Sequence, residues 1–492
     1  MKLQDRIRAA VRFVIQSPKA RYEGAYGSPN RSQVPGIVQD AKFDATGPVR
    51  EELVRKSRYY EKNNGLVNRL ADLFEQYVVG VGIAFFPSTS SPEWNASAVK
   101  YWRGWQRYAD LTSRASWGTL QGQIARSWFI DGEVFVLKTY GDTGRPRVQV
   151  IEAHRVKTPR ASIDGIYGGA PNKGTIIDGV EIDANGRPVA YHVETVDVGR
   201  KSEFTRVPAD SMVHVFEPGR PGQYRGLPFV SAVINDINDL DDLQVFEMQA
   251  AKEAASVTNV IKTKAGEVAD EDIIKGTTTS SFTAEQKLQY YKERIRSEAV
   301  VLQTGDDMSQ FRSERPSVAT SGYWDYLAAK ICAGVGIPKE LVIPTSMQGT
   351  SMRSVLEIAN AFFRQRSSAL QDHLGQIYEW VIESGLALND SLLIVGKPED
   401  WFAWTARSPR SVSVDIGYSS AARINEYKLG MTTLEDIYAE QGQDWRERLR
   451  QKAEEVAYAK SLANEFKVER AEIMTLDPNE LSSNNAAAAV AT

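Results

Sequence analysis

Cysteine is almost absent: Cys332 is the only one in 492 residues. That excludes an intrachain disulfide framework and a cysteine zinc cluster. The residue sits in the apolar stretch A-A-K-I-C-A-G-V-G-I, which reads as a buried structural thiol. These facts fit a reducing cytoplasm. No run of about 18 apolar residues occurs, so no membrane-spanning helix is expected. Histidine is scarce too. His154, His192, His214 and His373 are far apart and lack carboxylate or cysteine partners at ligand spacing. They read as structural, with His192 and His214 in expected strands. There is no G-x-x-x-x-G-K-[ST]; the nearest text, G-G-A-P-N-K-G-T at 168–175, misplaces the lysine. Neither a G-x-S-x-G elbow nor an H-E-x-x-H pair is present. Net charge is only −4, so the chain does not grip nucleic acid by bulk charge, and any contact with DNA is local or non-adhesive. No catalytic residue, cofactor or metal site is expected.

What is present is 42% hydrophobic and 25% charged, an ordinary globular composition. The length allows two to four cores at about 150 residues per domain. Ten Trp and twenty Tyr demand large apolar burial, in cores or between subunits. Residues 1–15 form a basic amphipathic segment with Leu3, Ile7, Val11 and Val14 on one face. Arginines break its apolar run, so it reads as a helix packed on protein rather than a signal peptide. Residues 17–48, rich in Ser, Pro, Gly and Asn, read as an extended arm. Leu53, Val54, Tyr60, Leu66, Leu70, Phe74 and Val78 keep helical spacing over 49–79. Residues 97–129 are expected to be helical, with Trp102, Trp105, Trp117 and Trp128 as core.

From residue 130 the period changes to two. One hairpin is expected over 131–152 around G-D-T-G. A second is expected over 175–194, with Asn185-Gly186 supplying the positive φ of its turn. Residues 257–315 are polar. A helix is expected over 318–333, with Tyr323, Trp324, Leu327 and Ile331 on one side and Pro338 beyond its end. A long helix follows over about 351–384, with Val355, Ala359, Phe362, Phe363, Leu370, Leu374, Ile377 and Val381 as its stripe. Its length would be about 50 Å. The last dozen residues are small and expected to be disordered.

Residues 211–253 carry the most information. The run Met212 to Phe216 reads as a strand, a Pro/Gly-rich turn follows, and Pro228 can open a helix. Val233, Ile234, Ile237 and Leu240 recur at helical spacing. The opposite face holds Asp236, Asp239, Asp241, Asp242, Glu247 and Glu253 against Lys252 alone. Such a helix faces open water or lines something that must not stick to anions.

The segment H-x-F-x-x-x-R-x-G-Q-x-R-G-x-P from His214 to Pro228, with the acidic helix after it, resembles the portal proteins of lambda-type tailed phages. So do R-K-S-R-Y-Y-E-K-N-N-G to V-G-V-G-I (55–83), D-G-V-E-x-D-x-x-G-R-x-x-A-Y-H-V from Asp178, and Y-K-L-G-M-T-T-L-E-D-I-Y-A-E-Q-G-Q-D (427–444). Q-G-T-S-M-R at 348–353 stands where the family shows N-Y-S-S-x-R; Ser351 and Arg353 match, and the aromatic is missing at Gly349.

The resemblance implies an α+β portal fold with an α/β wing, a two-helix stem, a small α/β clip, a long crossing helix and a helical crown. Its boundaries would be an N-terminal helix and arm at 1–48, wing 49–226, stem helix 227–256, clip 257–315 and second stem helix 316–338. A tunnel loop at 339–351, a long helix returning to the wing at 352–430, a crown at 431–478 and a tail at 479–492 would follow. It implies a dodecameric ring at one capsid vertex of the virion, assembled in the host cytoplasm, through which double-stranded DNA is packaged and ejected. The implied partners are the terminase large subunit, the major capsid and scaffolding proteins and a head-tail adaptor, with no membrane. Asp236, Asp239, Asp242 and Glu247 would line the channel. Ser346, Met347, Gln348, Gly349, Thr350, Ser351 and Arg353 would form the tunnel loop; Arg353 would touch phosphate or pair with Glu357 one turn on. Packing like-charged helices side by side would require Ile234, Ile237 and Leu240 to be buried between subunits. Two other readings stand beside this one: an adaptor that does not close a ring, and a metal-dependent nuclease using Asp236, Asp239 and Asp242.

Overall fold

The computed structural model describes residues 38–159, 175–196, 202–256, 260–262, 307–309, 318–344, 349–388, 390, 393, 397–407, 409, 423–439 and 445–468. The expected N-terminal helix, most of the arm, most of the clip, residues 346–348 and the C-terminal tail lie outside them. Residues up to Ala45 form a separate unit, of which the short helix Ala41–Asp44 is described. The larger unit runs from Thr46.

The larger unit opens with α1 (Gly47–Asn63) and α2 (Gly65–Val78). They are separated at the Asn-Asn break, and Asn64 explains why. Its side-chain oxygen accepts from the amides of Leu66 and Val67 and so caps α2. Helix α2 buries Leu70, Leu73, Phe74 and Val78 completely. The tryptophan-bearing stretch is two helices, α3 (Pro92–Gln106) and α4 (Trp117–Asp131), each opened by a serine cap. Trp102, Trp105, Trp117 and Trp128 are all core, as their spacing implies, and so is Trp94.

The strands β1 (Ala84–Pro87), β2 (Glu133–Tyr140), β3 (Pro146–Glu152), β4 (Thr175–Ile177), β5 (Val180–Ile182), β6 (Pro188–Val196), β7 (Ser202–Pro208) and β8 (Met212–Phe216) follow in order. Strands β3, β2 and β8 make one antiparallel sheet; β4 to β7 make an antiparallel meander. The expected single strand over 175–183 is therefore two. Asp178 and Gly179 both take positive φ, 45° and 86°, and form a tight hairpin turn between β4 and β5. At the next turn only Gly186 has positive φ. There Asp183 Oδ1 accepts from the amides of Asn185 and Arg187, in place of the expected Asn-Gly geometry.

A 3₁₀ turn (Ser231–Val233) leads into α5 (Ile234–Ser256), so the acidic helix starts at Ile234 rather than at Pro228. Two short strands, β9 (Val260–Lys262) and β10 (Asp307–Ser309), pair antiparallel. Helix α6 (Val318–Val335) ends where Gly336 takes φ 91°. The long helix is α7 (Gly349–Ala387). Its length at the usual helical rise is about 58 Å. Strand β11 (Trp404–Arg407) returns to pair with β1. Two helices close the described chain, α8 (Leu434–Ala439) and α9 (Trp445–Phe466).

One large core joins α2 to α7 through Phe74, Trp128, Phe363, Leu370, Leu374 and Tyr378. A smaller one lies between the two sheets around Phe135, Tyr191, Val193 and Met212. The fold is thus mixed helix and antiparallel strand. Cys332 is buried in the large core, where desolvation pushes its thiol up to about 11. Among the described residues no helix is long and apolar enough to cross a membrane.

Candidate functional site

The turn that delivers α5 is built on a buried carboxylate. Glu133, the first residue of β2, is fully buried. Its oxygens accept from Arg225 Nε at 2.9 and 3.0 Å and Nη2 at 2.5 Å, from the Gly226 amide at 2.8 Å, and from His214 Nε2 at 2.9 Å. Arg50 of α1 lies 3.4 Å away and is itself tied to Asp178 at 2.6 Å. Arg225 also donates to the carbonyls of Ala153, Val156 and Asp178. Burial alone would raise the Glu133 carboxyl, yet the Arg225 guanidinium and the His214 bond hold it far below the ordinary carboxylate range. Burial pushes His214 down, against the raising by Glu133; facing a carboxylate, which can only accept, Nε2 is the nitrogen that donates. The motif from His214 to Pro228 is therefore a structural clamp.

The same turn is fastened to α7. Arg366 binds Glu217 at 2.7 Å and lies over the rings of Phe229 and Phe362, and His373 Nε2 meets the Phe216 carbonyl at 3.3 Å. All four histidines thus have structural neighbours: His192 pairs with Glu181 at 3.2 Å and His154 with Glu152 at 3.0 Å.

The clamp fixes which way each side of α5 points. Ile234, Ile237 and Leu240 are 5, 0 and 2% exposed, packed in the chain's own core. This corrects the expected subunit contact: the stripe is satisfied within one chain and offers a neighbour nothing. Asp236 and Glu247 are both turned toward α6, because they stand about three full turns apart and so fall on one line of the helix. Asp236 accepts from Lys330 Nζ at 2.6 Å, and Glu247 from the Thr320 hydroxyl at 3.1 Å. On the α1 side, Asn64 donates to Asp241 at 2.6 Å and Tyr60 to Asn238 at 3.1 Å. Burial raises the Asp241 carboxyl, against the lowering by Asn64.

That leaves Asp239 and Asp242 as the exposed carboxylates of the expected lining set, with Asn238 donating to Asp242 at 3.1 Å. Asp236, Asp239 and Asp242 do not gather at one point, and among the described residues no three His, Cys, Asp or Glu are placed to hold a metal ion.

Of the expected tunnel loop, Ser346, Met347 and Gln348 lie outside the described residues. Gly349, Thr350, Ser351 and Arg353 belong to the first turn or so of α7 rather than to a loop. Ser351, Arg353 and Glu357 are exposed there.

Sequence reasoning missed two groups. One is the clamp of Arg50, Glu133, Asp178 and Arg225, for which the arginine and glycine of the quoted turn were the signal. The other is a set of large exposed side chains: Val245, Phe246 and Met248 on α5 at 61, 67 and 50%, and Tyr323 and Tyr326 on α6 at 53 and 61%. Phe246 breaks phase with the Ile234, Ile237, Leu240 stripe, and that slip was readable. Val245 and Met248 stand eleven residues after Ile234 and Ile237 and continue its lines beyond the core.

The chain's relatives can be set beside this geometry. The family described as phage portal protein, lambda family, matches residues 38–366. A probable portal protein of Halomonas phage phiHAP-1 is 26% identical over 225 residues, 42% of this chain and 42% of that protein. Portal protein B of Escherichia phage lambda is 22% identical over 314 residues, 57% of this chain and 58% of that protein. The alignments span about half the length of each relative. Among solved structures, a chain of the virion of a native gene transfer agent particle aligns with a TM-score of 0.48 at 13% identity, over 77% of this chain and 89% of that one. An HK97-family phage portal protein from Corynebacterium diphtheriae aligns with a TM-score of 0.32 at 9% identity, over 65% and 88%.

Proposed function

The chain belongs to the lambda family of phage portal proteins, and from that premise we propose that it forms a dodecameric ring at a unique capsid vertex. Double-stranded DNA is packaged and later ejected through the ring. In this reading residues 49–226 are the wing, α5 and α6 the stem, 257–315 the clip, the segment before α7 the tunnel loop, α7 the crossing helix and 431–478 the crown. The terminase large subunit, which carries the ATP chemistry, docks on the ring, as does the head-tail adaptor. Capsid and scaffolding proteins surround it.

The observation that carries the reading is the division of labour on α5. Its apolar stripe is held in the core, two of its carboxylates are bonded toward α6, and Asp239 and Asp242 remain exposed. Repeated around a ring, those two positions give a negative wall. Such a wall repels phosphate and lets a duplex slide, whereas a basic wall would release counterions and hold it.

Negative-stain imaging of the purified protein is the first test. The expected result is rings with a central hole wide enough for a duplex. A homogeneous monomer would favour the adaptor that does not close a ring.

A further inference from the structure

Helices α5 and α6 run antiparallel, and two contacts fix their register: Asp236 with Lys330 and Glu247 with Thr320. The stretch from 236 to 247 on α5 nearly equals the stretch from 320 to 330 on α6, so the helices run in step. Tyr326 therefore lies at the height of Leu240 and Asp241, and Tyr323 at the height of Leu243 and Gln244.

The pair has two unlike flanks. On α6, Tyr323, Tyr326 and Lys330 form one outward stripe at spacings of three and four. The two rings stack at 6.2 Å, and both tyrosines and Lys330 are more than half exposed. On the side of α5 away from Asp236 and Glu247, a groove of about 690 Å³ opens between α5 and the end of α1. Tyr59, Val245 and Met248 give it apolar walls, Asp241 and Asp242 mark its upper end, and Lys252 its lower end.

We propose that the Tyr323–Tyr326–Lys330 stripe of one copy seats in the α1–α5 groove of the next copy. The proposal rests on the ring reading, with α5 and α6 running along the ring axis. Copies related by rotation about that axis sit at equal heights. The two tyrosines then meet the upper half of the groove, their rings against Val245 and Tyr59 and their hydroxyls beside Asp241 and Asp242. Lys330, at the end of the stripe nearest the groove's carboxylates, is held by Asp236 of its own chain at 2.6 Å. The match along the axis is therefore carried by the tyrosines: rings against apolar walls, hydroxyls against carboxylates. The nearby Asp325 does not oppose this, because Lys339 holds it at 3.1 Å. A surface that fits a different surface on the next copy is head-to-tail, which is the geometry that closes rings.

The seating also says what is left for the channel. At 100° per residue, α6 takes one sector of α5, while the core and the groove take the adjoining ones and overlap, with Val245 on the line of Ile234 and Met248 on that of Ile237. The one remaining line is Asn235, Asp239, Asp242 and Phe246, all exposed in the single chain. It faces neither the core nor either neighbour, with Asp242 at its border with the groove.

Cysteine cross-linking tests the contact. Val245→Cys and Tyr323→Cys replace exposed side chains, and the natural Cys332 is buried. Co-expressed and treated with a mild oxidant, the two single variants are expected to give a covalent dimer. Neither variant alone, nor the unsubstituted protein, should give one, because a head-to-tail contact never brings identical positions together. Imaging of the same samples separates the two readings. Rings without the mixed dimer would overturn the seating and leave the ring standing. Absence of any oligomer would overturn both. A dimer from Val245→Cys alone would also overturn the proposal, since it requires a symmetric contact.

Discussion

Glu133 is a fully buried anion facing two guanidinium groups, so the charge itself, more than the volume, is what the clamp needs. Glu133→Gln keeps the shape and strands Arg225 and Arg50. The loss expected for breaking a buried ion pair is on the order of 3–5 kcal/mol, measurable by denaturant unfolding. The pH dependence has a definite sign. The carboxyl is depressed in the folded protein, so its stabilisation is present above the unfolded value of about 4.3 and is lost as pH falls below it. His214 is lowered by burial and acts in the same direction from higher pH: below about 6.5 the unfolded chain takes a proton that the folded site refuses. Asp131, raised by burial against Arg58, works in the opposite sense. The net expectation is a stability that declines from near neutral pH and steepens below the ordinary carboxylate range. The steep acid part should be missing in Glu133→Gln. Equal acid sensitivity in the two proteins would show that Glu133 does not hold the turn.

At the scale of elements, α5 shows how far a pattern reaches. Its existence, its acidity and the apolar positions Ile234, Ile237 and Leu240 were legible, because helical spacing reports which residues share a face. What that face packs against was not legible: the same stripe suits a neighbour's surface or the chain's own core, and only the fold decides. Two substitutions separate the outcomes. Ile237 is fully buried, so Ile237→Asp puts a charge in the core and should destabilise the monomer by several kcal/mol. Phe246 is two-thirds exposed. Phe246→Ser should therefore alter monomer stability by no more than about 0.5 kcal/mol. Unfolding curves check both, and an Ile237→Asp protein as stable as its parent would restore the intersubunit assignment. The hairpins were legible to a similar depth. Asp178-Gly179 is a strong two-residue turn signal that divides what reads as one alternating strand. The alternation survived across it because both arms of the hairpin share an apolar face. Gly132 has a firmer requirement: its φ is 82°, and a Cβ there would collide with the Leu227 backbone. Gly132→Ala should therefore cost more than the ordinary left-handed penalty of about 1–2 kcal/mol, because the α4–β2 junction and the clamp turn would have to part. Thermal unfolding of that variant would test it; an unchanged transition would mean the turn relaxes freely. The clamp was only half legible, since sequence order places Arg225 and Gly226 in one motif but says nothing of a carboxylate as distant in the chain as Glu133.

For the whole molecule, charge is the property a ring multiplies. One chain has a net charge of −4, too little to define a field by itself. In the proposed ring its two exposed α5 carboxylates would be brought to one wall and would define one. Neither Asp239 nor Asp242 carries buried contacts, so replacing them acts on the field and leaves the fold alone. Asp239→Lys with Asp242→Lys changes this surface from −2 to +2 per subunit. Asp239 stands clear of the proposed contact, so Asp239→Lys alone should form rings as before. Asp242 borders the groove, so the double variant should also form rings less readily. DNA packaging should fall, and DNA should be retained on the rings in a way that weakens as salt is raised, the mark of phosphate contacts with counterion release. Imaging, a packaging assay and a salt series of DNA binding read these three quantities separately. Normal packaging by intact rings of the double variant would remove Asp239 and Asp242 from the channel wall. Loss of rings from Asp239→Lys alone would instead place Asp239 at the contact between copies.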